Sequence, residues 1–214
     1  MQAMVFDLDG TVIDTMDDLV ALTNQVLDEF NMPHHSKEEI QSYVGNGALA
    51  LMLQAVPPGT PEDITSAALT RWKELNPQFD QLSRPYPGIP ETLEKLRRAG
   101  VRIALLSNKF DYGVQVMVNA KLPNVFEVAR GERPDTPRKP DPTGLSNIFH
   151  QLEADPACCA YVGDSPGDIQ VAKNAGCLAV GVSWGYRSVE DLAQAGADVI
   201  IERAEQLLDL AETR

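Results

Sequence analysis

Basic residues are scarce in this chain: 18 Lys and Arg stand against 31 Asp and Glu, a net charge of −13. So acidic a protein repels a phosphate backbone at long range, which argues against a nucleic-acid partner. An anionic ligand would need cations supplied locally. Cysteine is also sparse. Cys158, Cys159 and Cys177 are odd in number and two are adjacent, so they suit neither a disulfide framework nor a C-x-x-C zinc knuckle. They read as small apolar residues in a reducing compartment. Long apolar runs are missing. The longest, residues 101–106, is strand-sized and far short of the ~18 residues that a membrane span needs. Met1-Gln2-Ala3 runs straight into Met4-Val5-Phe6 and leaves no room for a secretory leader. A cytoplasmic protein with no membrane partner is expected. No internal repeat or low-complexity tract is visible.

What is present is an ordinary folded composition, 43% hydrophobic and 23% charged over 214 residues, enough for one large domain or a domain with an insertion. Residues 4–8 form a short apolar run ending in Asp-Gly, the pattern of a buried strand. Further strands are expected at 101–106, 160–163, 179–182 and 198–201. Helical patterns lie between them. Residues 90–99 stop at Gly100, a suitable C-cap. Asp141-Pro142 and Ser165-Pro166 each pair an N-cap with a proline in the first turn, and Gly176 closes the second helix. This alternation predicts a doubly wound, Rossmann-like α/β core with a parallel sheet covered on both faces. Residues 16–82 break it. Leu19, Leu22, Val26, Leu27 and Phe30 make one helical stripe, Ile40, Tyr43 and Val44 a second, and 48–53 and 64–75 two more. The expected organisation is a core of residues 1–15 and 83–214, interrupted by an all-helical module at 16–82.

Chemistry-bearing residues gather at the ends of the expected strands. In Asp7-Leu8-Asp9-Gly10-Thr11, the strand period of two puts both acids on one side. The carboxyl ends of parallel strands are where ligands bind in such sheets. Adjacent carboxylates ionise together only when a cation or proton intervenes; otherwise the pair is a solvated turn. Ser107-Asn108-Lys109 ends the next strand and reads either as a helix cap or as a cradle for a phosphoryl oxygen. Lys139, beside Pro140-Asp141-Pro142, is a surface lysine or a compact point charge aimed at phosphate by a stiff loop. Asp164 is another acid at a strand tip. Asp168 falls in the first turn of a helix, where the dipole alone favours an acid. Asp7, Asp9 and Asp164 converging on one crevice would need a divalent cation. Carboxylate and carbonyl oxygens suit Mg²⁺, which binds through few carboxylates plus substrate phosphate.

In this order, Asp7-Leu-Asp9-Gly-Thr11-Val, Ser107-Asn108, Lys139-Pro and Gly163-Asp164-Ser-Pro-Gly-Asp168 resemble the four motifs of the haloacid dehalogenase-superfamily phosphatases. The resemblance spans nearly the whole chain and implies that residues 16–82 are a helical cap domain. It further implies that Asp7 is the nucleophile and Asp9 the general acid and base. Ser107, Asn108, Lys139 and Thr11 would bind phosphate. The metal group would be Asp7, Asp9 through its carbonyl, and Asp164, with Asp168 in support and Mg²⁺ as cofactor. The partner implied is a small phosphorylated metabolite, for a monomer or homodimer. Within the superfamily, Tyr43-Val-Gly45-Asn46-Gly47, Ser107-Asn108-Lys109 and Gly181-Val-Ser-Trp-Gly-Tyr186 look most like phosphoglycolate phosphatases. Gly45, Asn46 and Gly47 would then be a cap loop that sets substrate specificity, or else a plain helix–helix turn. Phe110 departs from that group, which usually carries proline there. Pyrophosphatases and sugar-phosphate phosphatases or phosphomutases remain as relatives, although the mutases tend to carry Glu-Asp where this chain has Gly163-Asp164. A phospho-accepting receiver also clusters acids and a lysine, but it is shorter and lacks a helical insertion. A non-catalytic phosphate-binding module is the other class.

Overall fold

The computed structural model describes residues 1–212. In chain order the elements are β1 (Ala3–Phe6), β2 (Ile13–Asp14), α1 (Met16–Glu29), α2 (Lys37–Tyr43), α3 (Gly47–Ala55), α4 (Glu62–Leu75), β3 (Arg84–Pro85), α5 (Ile89–Arg98), β4 (Arg102–Phe110) and α6 (Asp111–Lys121). There follow β5 (Val128–Glu132), α7 (Thr143–Gln151), β6 (Cys159–Gly163), α8 (Pro166–Ala175), β7 (Leu178–Val182), α9 (Val189–Gln194), β8 (Val199–Ile201) and α10 (Gln206–Glu212).

Six strands form one parallel sheet in the order β5-β4-β1-β6-β7-β8. The chain winds from β1 to one edge, then returns to the other side of β1. The carboxyl ends of β1, β4 and β6 therefore open on the crevice at this reversal. Every residue of β1 is buried, because helices cover both faces of the sheet. Alternate residues serve alternate faces. Met4, Phe6, Ile103 and Leu105 pack with Leu93 and Leu96 of α5 and Val114 of α6. Ala3, Val5, Ala104 and Tyr161 pack with Leu145 and Ile148 of α7 and Ile169 of α8. The register sets Phe6 beside Leu105 on one side and Val162 on the other, so the residues that follow these three emerge side by side.

The doubly wound class is as expected, with two differences. The sheet has six strands where the sequence suggests five, because β5 is a half-buried edge strand reading Val-Ala-Arg-Gly-Glu, with no alternating apolar signal. Its glycine is required by space. A Cβ on Gly131 would lie 2.4 Å from the Lys109 carbonyl and 2.6 Å from Asp111 Cα. In addition, β4 runs on to Phe110, with a register irregularity between Leu106 and Phe110. Ser107, Asn108 and Lys109 thus lie within the strand, at a bulge that re-aims side chains.

Helices α1–α4 are inserted between β2 and β3 and pack around their own cluster, which includes Leu22, Val26, Ile40, Met52, Ala68 and Trp72. Trp72 donates its indole N–H to Thr23 Oγ1 (3.1 Å). The two crossings to the sheet are tied together. β2 pairs antiparallel with β3, Ile13 opposite Pro85 and Asp14 opposite Arg84. Asp18, buried in the first turn of α1, accepts hydrogen bonds from the amides of Leu82 and Ser83 and from the Ser83 hydroxyl. Replacing Asp18 with Ala strands these donors, and the expected cost is about 1–3 kcal/mol. Urea unfolding measures it; a midpoint equal to wild type would dismiss the clamp.

Candidate active site

Asp7 follows β1 directly, and its amide donates to the Val162 carbonyl of β6 (2.9 Å). Its carboxylate is met by Lys139, which arrives from the loop before α7. Lys139 Nζ lies 2.9 Å from Asp7 Oδ1 and donates to Asp168 Oδ1 (2.7 Å) and to the Tyr161 hydroxyl (2.8 Å). Tyr161 in turn donates to the Leu106 carbonyl (2.6 Å). The approach to Asp7 is a close ion pair outside hydrogen-bond alignment. Buried Asp7 Oδ1 therefore has no hydrogen-bond donor among the described residues.

Asp168 is locked from its other side. It is the third residue of α8 and forms a reciprocal capping box with Ser165. Its Oδ2 accepts from the Ser165 amide (3.0 Å) and hydroxyl (2.6 Å), while Oδ1 holds Lys139. Asp164, just past β6, accepts from Thr11 Oγ1 (3.1 Å) and the Tyr186 amide (2.8 Å). Backbone crowds it closely. A Cβ on Gly10 would sit 2.3 Å from Asp164 Oδ2, and one on Gly185 would sit 2.1 Å from Asp164 Cβ. Gly10 also has φ +82°, the left-handed region that glycine enters freely.

Asp7, Asp164 and Asp168 each offer a carboxylate oxygen within 4.8 Å of one another, all buried. Burial pushes the Asp7 carboxyl up to about 6, against the pull of Lys139. Burial, then the charges of Asp168 and Asp7, push Asp164 up to about 8. Burial alone would lower Lys139, but Asp168 and Asp7 outweigh it and hold the ammonium above its ordinary range. One lysine cannot neutralise three acids. The uncompensated charge, the oxygen-only donor set and an Asp7 Oδ1 met by Lys139 only as an ion pair all suit a hard divalent cation at Asp7 and Asp164. Asp168 fits behind them, since both its oxygens are engaged.

Asp9 points elsewhere. Its carboxylate accepts from Thr15 Oγ1 (2.7 Å) and Lys109 Nζ (3.1 Å), outside the acidic cluster. Asn108 ties three segments: its Nδ2 donates to the carbonyls of Gly45 (3.0 Å) and Lys139 (3.2 Å), and its Oδ1 accepts from the Lys139 amide (2.9 Å). Ser107 Oγ accepts from the Lys109 amide (3.2 Å). Gly45 and Gly47 line a cavity whose floor includes Asp7, Asp9, Ser107 and Asp164 and whose opposite wall includes Leu19, Leu51, Trp72 and Phe110. Asn46 lies at the adjoining opening beside Lys139, and its carbonyl accepts from Arg138 (2.6 Å).

Most residues expected at a site thus converge: Asp7, Asp9, Ser107, Asn108, Lys139, Asp164, Asp168 and the Gly45–Gly47 loop. Thr11 is a correction. Its hydroxyl is spent on Asp164 and its amide on the Leu8 carbonyl, and it is fully buried, so it braces an acid instead of facing a phosphate. The carboxylate of Asp9 stands outside the metal-type cluster, and the metal contact expected of this residue is through its carbonyl. Sequence reasoning did not single out Tyr161, Thr15 or the Tyr186 amide. Only Tyr161 leaves a trace, a hydroxyl-bearing ring in an otherwise small and aliphatic buried strand.

The family description "Haloacid dehalogenase-like hydrolase" matches residues 4–182. The chain is 32% identical to phosphoglycolate phosphatase 1 of Pseudomonas aeruginosa, over 98% of this chain and 79% of that one. It is 31% identical to the phosphoglycolate phosphatase of Vibrio parahaemolyticus, over 98% and 96% respectively. The crystal structure of a predicted phosphoglycolate phosphatase from Haemophilus somnus superimposes with a TM-score of 0.92 at 29% identity, covering 98% of this chain and 97% of that one.

The raised acids set a pH dependence. Asp7 and Asp164 move from an ordinary 3.8 to about 6 and about 8, so across that window the folded chain keeps protons that the unfolded chain has released. Stability of the metal-free protein therefore falls as pH rises through this window, and a divalent cation, binding the ionised forms, restores it. Thermal unfolding against pH, with chelator and with added cation, tests this. A melting temperature at pH 8 that is indifferent to the cation would contradict it.

Proposed function

The chain belongs to the haloacid dehalogenase-like hydrolases, and on that premise we propose that it hydrolyses small phosphomonoesters in the cytoplasm, with 2-phosphoglycolate as the favoured substrate. The observation that carries this reading is the meeting of Lys139 with Asp7 and Asp168 beside Asp164, at the carboxyl ends of parallel strands and under the helical insertion. A carboxylate nucleophile flanked by cationic charge suits attack on phosphorus.

In this reading the Asp7 carboxylate attacks phosphorus as the bond to the leaving oxygen breaks, giving an aspartyl-phosphate. Asp9 gives its proton to that oxygen, then takes one from the water that attacks the phosphoenzyme. Phosphate leaves and the Asp7 carboxylate is restored. Ser107, the Asn108 backbone and Lys139 hold phosphoryl oxygens while charge redistributes. Asp7, Asp164 and the Asp9 carbonyl would hold Mg²⁺, which supplies the positive charge that lets an anionic nucleophile approach an anionic phosphate. Asp168 keeps Lys139 aimed. Residues 16–82 act as the cap that excludes water, with Gly45, Asn46 and Gly47 at the substrate.

A phosphate-release screen with Mg²⁺ over 2-phosphoglycolate, pyrophosphate and hexose phosphates should show the highest kcat/KM for 2-phosphoglycolate. A clear preference for pyrophosphate or a sugar phosphate would move the substrate assignment. Asp7→Asn should keep the wild-type circular dichroism spectrum and lose about 10⁴-fold or more in turnover, because an amide is a poor nucleophile. Substantial residual turnover would remove Asp7 from that role.

A further inference from the structure

Two cationic side chains line the cavity between Asp7 and the helical insertion, Lys109 and Arg187. Arg187 is committed. Its guanidinium donates to the carbonyls of Gln41 (2.9 Å), Ser42 (3.2 Å) and Val44 (2.7 Å) at the end of α2. Lys109 is different. Its side chain is only 4% exposed, and the acceptors of Nζ among the described residues are the two oxygens of Asp9, at 3.1 and 3.4 Å. An ammonium carries three N–H donors, so one carboxylate does not exhaust it. Leu19, Ala48, Leu51, Trp72 and Phe110 give the cavity a large apolar share, with Tyr186, Asn108 and Ser107 among its polar lining. In such surroundings a buried cation with spare donors favours an anionic partner and discriminates against a neutral one.

Geometry narrows that partner. Lys109 Nζ touches Asp9, which the proposed reaction assigns to the ester oxygen of the leaving group. A ligand atom that also touches Nζ then lies at most about three hydrogen-bond lengths from that oxygen, a span that a group on the neighbouring carbon falls within. Resting on the phosphomonoester reading, we infer that Lys109 is the specificity-determining cation for a carboxylate on the carbon next to the ester oxygen. The preferred substrates are the phosphate esters of small 2-hydroxy acids. Neutral leaving groups of the same size lack the anion that Lys109 pairs with.

The experiment compares kcat/KM for 2-phosphoglycolate and for 2-hydroxyethyl phosphate, its uncharged counterpart, in wild type, Lys109→Met and Lys109→Arg. Para-nitrophenyl phosphate, whose leaving group departs without a proton, reports whether each variant keeps a working site. Wild type should prefer 2-phosphoglycolate by about 10–100-fold, the range of a contact to a charged group. Lys109→Met should bring that ratio close to one, chiefly by raising KM for the carboxylate ester, and Lys109→Arg should keep much of it. A wild type without preference overturns the inference and leaves the hydrolase reading standing. So does a Met variant that loses rate on both esters by one factor, because Lys109 would then serve only Asp9. If the Met variant no longer cleaves the nitrophenyl ester, the wild-type and Arg ratios decide. Should wild type release phosphate from none of the three esters, the hydrolase reading falls and the inference with it.

Discussion

The Lys139 ammonium, held between Asp7 and Asp168 in the interior, is the contact on which the site depends. Each acid alone would be costly to bury ionised, and the lysine would be costly to bury without them. Together they fix one another. The ring hydroxyl of Tyr161 accepts another N–H of the ammonium, beside the one given to Asp168, and passes the constraint to the backbone of β4. The helix cap at Ser165 immobilises Asp168, so the lysine has one orientation available. The positive charge aimed at Asp7 is thus set by a strand, a loop and a helix at once.

The cluster of Asp7, Asp164 and Asp168 holds more acids than Lys139, its ion-pair partner among the described residues, can balance. Among the described residues Asp164 has no cation paired with it and is steered by a threonine and a backbone amide, with glycines pressed against it. Those neighbours orient the carboxylate without neutralising it. A cation bound at these oxygens, together with an anionic ligand, would remove that electrostatic cost. Such binding would couple stability to occupancy through one small group of oxygens.

The sequence exposed the chemistry better than the scaffold's margins. Acids at strand tips, paired Pro and cap residues, and the long break in strand periodicity all survive as patterns in one dimension. The doubly wound sheet and the positions of Asp7, Lys139, Asp164 and Asp168 follow from them. Edge strand β5 did not, because a strand half in water with arginine, glycine and glutamate carries no apolar alternation. The family resemblance implies a phosphate ligand at Thr11, yet its hydroxyl is engaged by Asp164, 153 residues away. In sequence Asn108 suits a helix cap or a phosphoryl cradle at a strand end, whereas its side chain bridges Lys139 and Gly45. Contacts of such long range leave no local signature. They are settled by which strands become neighbours.

The side-by-side crossings at Asp14 and Arg84, with Asp18 gripping Ser83, mean that the helical segment leaves and re-enters the sheet at nearly one point. Closing a chain at such a neck costs an entropy that grows only slowly with the number of residues beyond it. The floor that handles phosphorus is therefore insulated from the length and content of what hangs above it. A lineage could exchange the overhanging helices wholesale, and with them the molecules admitted, while inheriting its catalytic floor intact.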